Sequence, residues 1–410
     1  MKMNAYVAGV GMTRFGRMMD RGMKAIGGEA IEAAISDAGL RKTDVQAAFM
    51  SNAAAGVLTG QECIRGQVVL RGIGMGSLPV VNVENACASA STAFNQACAM
   101  VSAGIYDVVL ACGVEKMYLE DKAKVFGAFM GAVDVEQLQS ILEGLQKSAA
   151  ASGAKEASAG AGQNRSMFMD IYAAAARGHM QRYGTTAEHF AMISAKNAYH
   201  GSLNPRAQFR EALTVAEVMA SPMIAEPLTR PMCSPIGDGA AAAIIVSERK
   251  MRELGLSRPV RVLSSVLRSG WDHDVGEGVS ELCCHEAFEE AALGPADLSL
   301  VELHDASAPA ELMGYESIGL CAKGDGGALV SDGATKLGGR IPVSTSGGLL
   351  RKGHPIGATG IAQVVEITEQ IQGRSGARQV AGARVGLCHN GGGSIGADAA
   401  AQCVTILAAG

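Results

Sequence analysis

The chain has 410 residues and a mass of 42.0 kDa, which is enough for two or three ordinary domains with a large core. Apolar residues make up 48% of it, charged residues 18%, and glycine occurs 53 times, a composition typical of a compact α/β protein and unlike that of a disordered or fibrous chain. The net charge of −5 excludes a strong basic field and so gives no support for nucleic-acid binding.

The ten cysteines include no CxxC pair, and this spacing argues against a structural zinc site. Most of them lie in apolar surroundings, which favours a reducing compartment. Residues 1–17 predict a strand followed by a glycine turn and not a signal peptide, and no apolar run is long enough to span a bilayer. We therefore expect a cytoplasmic protein that binds neither nucleic acid nor a membrane.

The first part of the chain predicts alternating strands and helices. The predicted strands are 5–10, 45–50, 78–83 and 106–112, and the predicted helices are 28–39 and 61–70. The strand at 78–83 leads to Cys87, and a helix-compatible stretch then runs from about Ala88 to Gly104, a typical terminal glycine. Cys87 is therefore expected at a strand-to-helix junction, where the positive end of the helix would lower the pKa of its thiol and make it nucleophilic. The alternative is a buried structural cysteine, which is the expectation for the other nine.

Residues 114–235 break this alternation and are interpreted as an insertion that covers one face of the core. Within them, residues 147–162 are small, polar and glycine-rich, which indicates a mobile surface loop. The sheet resumes at 237–247, and a second cycle then repeats the first, with helices at 286–291 and from about Gly357, and strands at 300–303, 385–388 and 392–407. Two copies predict duplicated halves, 1–250 and 251–410, in a layered α/β fold with helices on both sheet faces.

Three polar, glycine-rich stretches of the second half lie at or just after predicted strands, where α/β sheets place their ligands. They are 303–307, 346–360 and 386–395, and they contain His304, His354 and His389 respectively. A lone histidine is more often a structural group. Three of the eight histidines in such turns indicate a functional cluster.

These motifs resemble those of the thiolase superfamily, most closely its sterol-carrier-protein-type and archaeal branch. VENACASAS at 83–91 is similar to the nucleophile motif, GHPIGATG at 353–360 to the histidine motif, and HNGGG at 389–393 to the C-terminal glycine loop. HDAS at 304–307 resembles the HDCF or HDAF element of that branch, and the resemblance covers nearly the whole chain. It implies a duplicated thiolase fold of five αβαβα layers with an inserted loop domain.

The resemblance also implies an acyltransferase that acts on acyl-CoA thioesters, by thiolysis of a 3-oxoacyl-CoA or by the reverse Claisen condensation, through an acyl-cysteine. Coenzyme A would be a substrate, with no permanently bound cofactor and no metal. The family further implies a homodimer or a dimer of dimers. Members of the branch are often encoded with a small OB-fold, zinc-containing partner protein, which the resemblance makes a candidate partner here.

Family roles carry over to the matching positions of this chain. Cys87 would attack the thioester, and His354 would take the proton of its thiol. The side chains of His304 and His354 would form one oxyanion hole, and the backbone N–H groups of Cys87 and Gly391 would form the other.

One family feature is missing. The second cysteine, which moves the proton at the substrate α-carbon, is replaced by Ala306 in the HDAS element. We prefer His389 in its place, which would titrate near neutrality, with Cys388 as the alternative. The loss leaves open a thiolase-like aldolase, which needs no acyl-cysteine, and a non-catalytic subunit that binds acyl-CoA or lipid. The basic pair Arg351 and Lys352 either contacts CoA phosphates or is a solvated pair.

Overall fold

A computed structural model of the chain describes residues 3–152, 165–272 and 276–410. The strands in these ranges are β1 (Ala5–Met12), β2 (Ala47–Ser51), β3 (Val80–Val83), β4 (Val108–Glu115), β5 (Met223–Ala225), β6 (Leu228–Thr229), β7 (Gly239–Val246), β8 (Val260–Ser269), β9 (Leu300–Glu302), β10 (Val385–Gly392) and β11 (Ala401–Ala409). The α-helices are α1 (Met23–Asp37), α2 (Ala55–Thr59), α3 (Arg65–Gly72), α4 (Ser89–Ser102), α5 (Lys122–Ala128), α6 (Leu138–Ala151), α7 (Phe168–Tyr183), α8 (Ala187–Ser202), α9 (Val215–Ala220), α10 (Glu248–Glu253), α11 (Val279–Ala291), α12 (Ala308–Ile318), α13 (Gly326–Ser331), α14 (Gly348–Lys352) and α15 (Thr359–Ile371). None of these helices is long and apolar enough to cross a membrane.

Nine strands form one mixed sheet in the order β3-β2-β4-β7-β1-β8-β11-β10-β9. In the first half, β2 pairs in parallel with β3 and β4, and β7 then pairs antiparallel with both β4 and β1. In the second half, β10 pairs in parallel with β9, and β11 pairs antiparallel with both β10 and β8. The antiparallel pair β1–β8 joins the two halves. One parallel pair followed by two antiparallel pairs therefore occurs in both halves, as the internal repeat of the sequence predicts, and β3 adds a further parallel strand to the first half.

Helices cover both faces of each half. The central pair, α4 and α15, contact each other and strands of both halves, and their apolar residues belong to one shared core. Both helices are buried around most of their circumference, which explains why they lack a clear polar face. On the outer faces, α1 and α3 pack on the first half and α11 and α12 on the second. Because α4 and α15 lie between the strands of the first half and those of the second, the layers follow the order αβαβα, as predicted.

The insertion between β4 and β7 consists of α5 to α9 and the small β5–β6 hairpin. Its helix α8 packs against α12, α13 and α14 of the second half, so this segment covers one face of that half. The loop predicted at 147–162 is wrong for its first part, because residues 147–151 continue α6. Residues 153–162 lie outside the described residues. The division of the chain at residue 250 stays a prediction.

Several predicted element bounds differ from the structure. Helix α1 begins at Met23 and not at residue 28, so Gly27 and Gly28 lie inside it. A glycine fits at position 27 because a Cβ there would come 2.7 Å from the Val69 side chain of α3. The helix predicted at 61–70 begins only at Arg65. The strand predicted at 392–407 begins only at Ala401, because the preceding residues turn back through a bridge at 395 and 398.

Candidate active site

One cavity of about 1140 Å³ brings all the predicted site residues together. It is lined by Cys87, His304, His354, His389 and Gly391, which come from four separate stretches of the sequence. Apolar side chains of the insertion form much of the remaining wall, among them Val125, Phe126, Phe129, Met169 and Ile171. The cavity thus combines a small polar group with a large apolar surface, as binding sites for apolar ligands generally do.

Cys87 lies in a short 3₁₀ turn, Ala86–Ala88, directly before α4. Ala86 has a φ of +47°, a left-handed conformation that costs a non-glycine residue about 1–2 kcal/mol. The glycine loop packs directly on this turn, since a Cβ on Gly392 would lie 2.2 Å from the carbonyl oxygen of Asn85. The strained turn and the glycine therefore hold Cys87 at the junction that the sequence predicts.

The predicted lowering of the Cys87 pKa is wrong. Burial raises the pKa of this thiol to about 12, and the nearby carboxyl group of Glu115 adds to the rise. The backbone N–H groups of Gly393 and of Cys87 itself favour the thiolate but do not compensate. The reason is that the sulfur packs on an apolar cluster that includes Met117 and Ile356, where removal from water disfavours the charged form. In the free protein the thiol is protonated at neutral pH, so a base has to remove its proton.

His354 is positioned to act as that base. Its Nδ1 lies 2.7 Å from the hydroxyl oxygen of Thr359, and this hydroxyl lies 3.2 Å from the carbonyl oxygen of Pro355. A hydroxyl has a single proton, so donation to Pro355 leaves its oxygen to accept a hydrogen bond from Nδ1–H. We infer that Nε2 of His354 carries the free lone pair. Burial, with the charge of Lys352 as a second cause, lowers the pKa of His354 to about 3, which keeps the ring neutral at pH 7.

His304 completes a compact trio. Its ring meets that of His354 edge-on, with centroids 5.2 Å apart, and the Cys87 sulfur and one nitrogen of each ring lie within 4.8 Å of one another. Nε2 of His304 is buried and has no hydrogen-bond partner among the described residues. Burial lowers the pKa of His304 well below its usual value. These three atoms are also a donor set that zinc accepts, but within the described ranges no fourth ligand joins them.

His389 and Cys388 are neighbours on β10, and their side chains point in opposite directions, as in any strand. Cys388 is buried in the apolar core, whereas His389 lines the cavity with its Nε2 2.7 Å from the hydroxyl oxygen of Ser280. Ala306, which stands in place of the family cysteine, also lines the cavity. Burial lowers the pKa of His389 to about 4, although the Glu281 carboxylate opposes this, so the expected titration near neutrality is wrong for the free protein.

The glycine loop lies between the histidines and the nucleophile. A Cβ on Gly391 would come 3.7 Å from Nδ1 of His304 and 3.1 Å from the side-chain oxygen of Gln402, so the position leaves little space for a side chain. Gly393 adopts a φ of +65° and directs its backbone N–H toward the Cys87 sulfur, an effect visible in the pKa of that thiol. The sequence pointed to Gly391 and missed Gly393.

Sequence analysis also missed Glu115, the last residue of β4. Its carboxyl group is fully buried and accepts hydrogen bonds from the backbone N–H groups of Ala53, Ala54 and Gly357, at 3.0, 3.2 and 3.0 Å. Burial raises its pKa to about 7. Because Gly357 belongs to the histidine motif, Glu115 ties that motif to the first half of the protein. A single carboxylate at a strand end gave no signal of this role.

The two basic residues next to the histidine motif, Arg351 and Lys352, lie in different environments. Arg351 lines the cavity, donates a 2.6 Å hydrogen bond to the carbonyl oxygen of Glu211 and lies over the ring of Phe209. Lys352 is buried and lies 3.2 Å from the carboxylate of Glu302. Lys352 is therefore an internal ion-pair residue, and the prediction that it contacts phosphates or solvent is wrong.

Comparison with protein families matches residues 5–249 to "Thiolase, N-terminal domain" and residues 274–408 to "Thiolase C-terminal domain-like". The chain belongs to the thiolase family. This confirms the resemblance carried by the nucleophile, histidine and glycine-loop motifs.

Relatives within the thiolase family include an acetyl-CoA acetyltransferase of Methanothermobacter thermautotrophicus, 39% identical over 396 residues, with 95% of this chain and 96% of that protein covered. The benzoylsuccinyl-CoA thiolase subunit BbsB of Thauera aromatica is 36% identical over 399 residues and covers 95% and 94% of the two chains. The solved structure of the Ltp2-ChsH2(DUF35) aldolase matches with a TM-score of 0.79 over 100% of this chain and 98% of that one at 24% identity, a similarity of fold. The archaeal relative agrees with the predicted branch.

Proposed function

We propose that this thiolase-family protein is an acyltransferase that acts on acyl-CoA thioesters through an acyl-cysteine on Cys87. The observation that supports this most strongly is the trio of Cys87, His304 and His354, whose reactive atoms lie within 4.8 Å of one another at a cavity of about 1140 Å³. The relatives named as an acetyl-CoA acetyltransferase and a benzoylsuccinyl-CoA thiolase subunit support the same substrate class.

In the first step of thiolysis, His354 takes the thiol proton of Cys87 through Nε2 while the sulfur attacks the 3-oxo carbon of the substrate. The bond between C2 and C3 then breaks, and its electron pair remains on C2 as an enolate. The acyl group stays on sulfur as a thioester. Proton removal during attack is required because the thiol of the free protein is protonated at neutral pH.

Charge develops on two carbonyl oxygens in this reaction, and each needs donors. The unpaired Nε2 of His304, together with His354 once it carries the proton, would stabilise the enolate oxygen. The backbone N–H groups of Cys87 and Gly391, with that of Gly393, would stabilise the oxygen of the attacked carbonyl. The proton on His354 then passes to the enolate carbon, and the first acyl-CoA product leaves. In the second step, CoA attacks the acyl-cysteine, and a further acid–base group has to accept the CoA thiol proton. We assign this role to His389.

A thiolase-like aldolase is the second candidate, favoured by the structural similarity to the Ltp2-ChsH2(DUF35) aldolase and by Ala306 in place of the family cysteine. An aldolase cleaves the carbon–carbon bond without an acyl-cysteine. The presence of Cys87 in a strained turn beside two histidines favours the acyltransferase.

We further propose a homodimer or a dimer of dimers, with coenzyme A as substrate and no permanently bound cofactor. Support for self-association comes from β3, which ends the sheet in the described part of the chain and exposes Val81, since an exposed edge strand can pair with a second copy. A small OB-fold, zinc-containing partner and a cytoplasmic location remain proposals of the same kind.

A product assay separates these functions. The purified protein is incubated with a 3-oxoacyl-CoA with and without free CoA, and the products are resolved by liquid chromatography. The acyltransferase forms two acyl-CoA products only when CoA is present, and Cys87→Ala abolishes both. A parallel incubation uses a 3-hydroxyacyl-CoA, because retro-aldol cleavage needs a hydroxyl on C3. Cleavage of this substrate that persists without CoA and in Cys87→Ala indicates an aldolase. Binding without turnover under every condition indicates a non-catalytic subunit.

A further inference from the structure

The hydrogen bond between His389 and Ser280 joins two residues that lie 109 positions apart. Ser280 is the second residue of α11, is half-buried and lines the cavity. His389 is 8% exposed and reaches the same cavity from β10. The contact thus connects an outer helix of the second half to the strand that carries the glycine loop.

The two nitrogens of the His389 ring have different surroundings. Nδ1 is buried and makes no hydrogen bond to another residue in the described ranges, whereas Nε2 lies 2.7 Å from the Ser280 hydroxyl oxygen. In the tautomer with the proton on Nδ1, the lone pair of Nε2 accepts the hydrogen bond of the Ser280 hydroxyl, so a proton reaches Nε2 through this hydroxyl or after the contact has broken. Ser280 and His389 both line the cavity, where a ligand would meet this hydroxyl.

We propose that Ser280 and His389 form one proton-transfer unit that serves the step after Cys87 has been acylated. The proposal rests on the proposed acyltransferase function, because it deepens the role assigned there to His389. Ser280 is then a catalytic residue, since its oxygen meets the transferred proton.

The proton balance for CoA attack is complete without another reagent. The S–H bond of CoA breaks, its proton bonds to the Ser280 oxygen, and the original hydroxyl proton passes to Nε2 of His389. The CoA sulfur bonds to the acyl carbon, the bond from that carbon to the Cys87 sulfur breaks, and the Cys87 thiolate is left. The same unit then returns its proton to this thiolate, which restores the resting thiol of Cys87. The Glu281 carboxylate, which acts on His389 electrostatically, stabilises the transient imidazolium.

Half-reactions measured separately test this unit. Cys87 acylation and transfer of the acyl group to CoA are followed by rapid quench and intact mass for wild type, Ser280→Ala, Ser280→Thr, His389→Ala and the double variant. We expect Ser280→Ala to slow transfer at least about tenfold and His389→Ala about hundredfold, with acylation changed less than about twofold. The double variant should equal His389→Ala, because residues that act as a unit are not additive. Ser280→Thr keeps a hydroxyl and should transfer at nearly the wild-type rate.

Ser36→Ala is the control, since Ser36 is an exposed serine of α1 that does not line the cavity. It should leave both half-reactions unchanged. Wild-type transfer by Ser280→Ala, or losses that multiply in the double variant, would overturn the unit while the acyltransferase stands. A wild-type protein that forms no adduct on Cys87 overturns the acyltransferase and this inference together.

Discussion

Gly360 is a position near the site at which the two halves approach each other closely. It lies in the first turn of α15, which follows His354, and it faces Ser91 in the first turn of α4, which follows Cys87. A Cβ on Gly360 would lie 1.9 Å from the Ser91 hydroxyl oxygen and 2.6 Å from the Ser91 backbone nitrogen. The hydroxyl can rotate away, but the backbone nitrogen cannot.

Gly360→Ala should therefore push the two helices apart. The 2.6 Å contact has to widen to about 3.4 Å, where ordinary contacts begin, a displacement of about 0.8 Å. Overpacking of this kind costs about 1–3 kcal/mol, and a misplacement near 1 Å between reacting groups costs about hundredfold in rate. We expect both effects, because the displacement separates the Cys87 turn from the loop that carries His354.

The matched control is Gly178→Ala in α7, where a Cβ meets nothing within 4 Å. This exposed helical alanine should stabilise the protein by about 0.5–1 kcal/mol and leave Cys87 acylation unchanged. Urea unfolding followed by far-UV circular dichroism gives the stability, and rapid quench gives the acylation rate. If Gly360→Ala matched Gly178→Ala in both measurements, the close approach of the two helices would not be what holds the site together.

Three further predictions follow from burial and charge. Cys388→Ser should change the rate of either half-reaction less than about threefold, because the Cys388 side chain lies in the apolar core. A loss as large as that of a general base would show instead that Cys388, and not His389, replaces the second cysteine of the family. Iodoacetamide labelling of Cys87 in the free protein should keep rising through pH 10, because the thiolate is the reactive form and burial raises the pKa of this thiol to about 12. A labelling plateau below pH 9 would contradict this. At pH 7, Cys63 should be labelled before Cys87, because Cys63 is exposed. Burial lowers the pKa of His200 to about 3, so below about pH 6.5 the unfolded state binds a proton that the folded state does not, and the free energy of unfolding decreases as the pH is lowered. In His200→Gln the decrease between pH 6 and pH 5, measured by urea unfolding, should be smaller by about 1.2 kcal/mol.

The residues that the sequence singled out line one cavity of the structure, whereas the ionisation expected for two of them, Cys87 and His389, is wrong. Short local motifs contain all four side chains of the trio and its neighbour: Cys87, His304, His354 and His389. The repeated order of strands and helices determines where these motifs lie in the fold. The ionisation of Cys87 depends instead on side chains more than twenty residues away in sequence, Glu115 and the apolar cluster, which no local pattern contains.

The contacts that could not be predicted from the sequence likewise join residues that lie far apart in the chain. The contact between Ser280 and His389 spans 109 positions, and the hydrogen bond from Gly357 to Glu115 spans 242. Lys352 looked like a surface cation next to the histidine motif, but its partner Glu302 lies 50 positions away and its burial follows only from tertiary packing. Element bounds failed at Gly27 for the same reason, since packing against α3 favours a glycine inside α1.

The mass of Cys87 during turnover tests the central claim most directly. Wild-type protein is mixed with a 3-oxoacyl-CoA in the absence of free CoA, quenched in acid and digested, and the peptide that contains Cys87 is analysed by mass spectrometry. The acyltransferase account predicts that this peptide gains the mass of the acyl group, that the gain disappears when CoA is added, and that His354→Ala slows its appearance about hundredfold. Carbon–carbon cleavage with an unmodified Cys87 peptide would contradict the account.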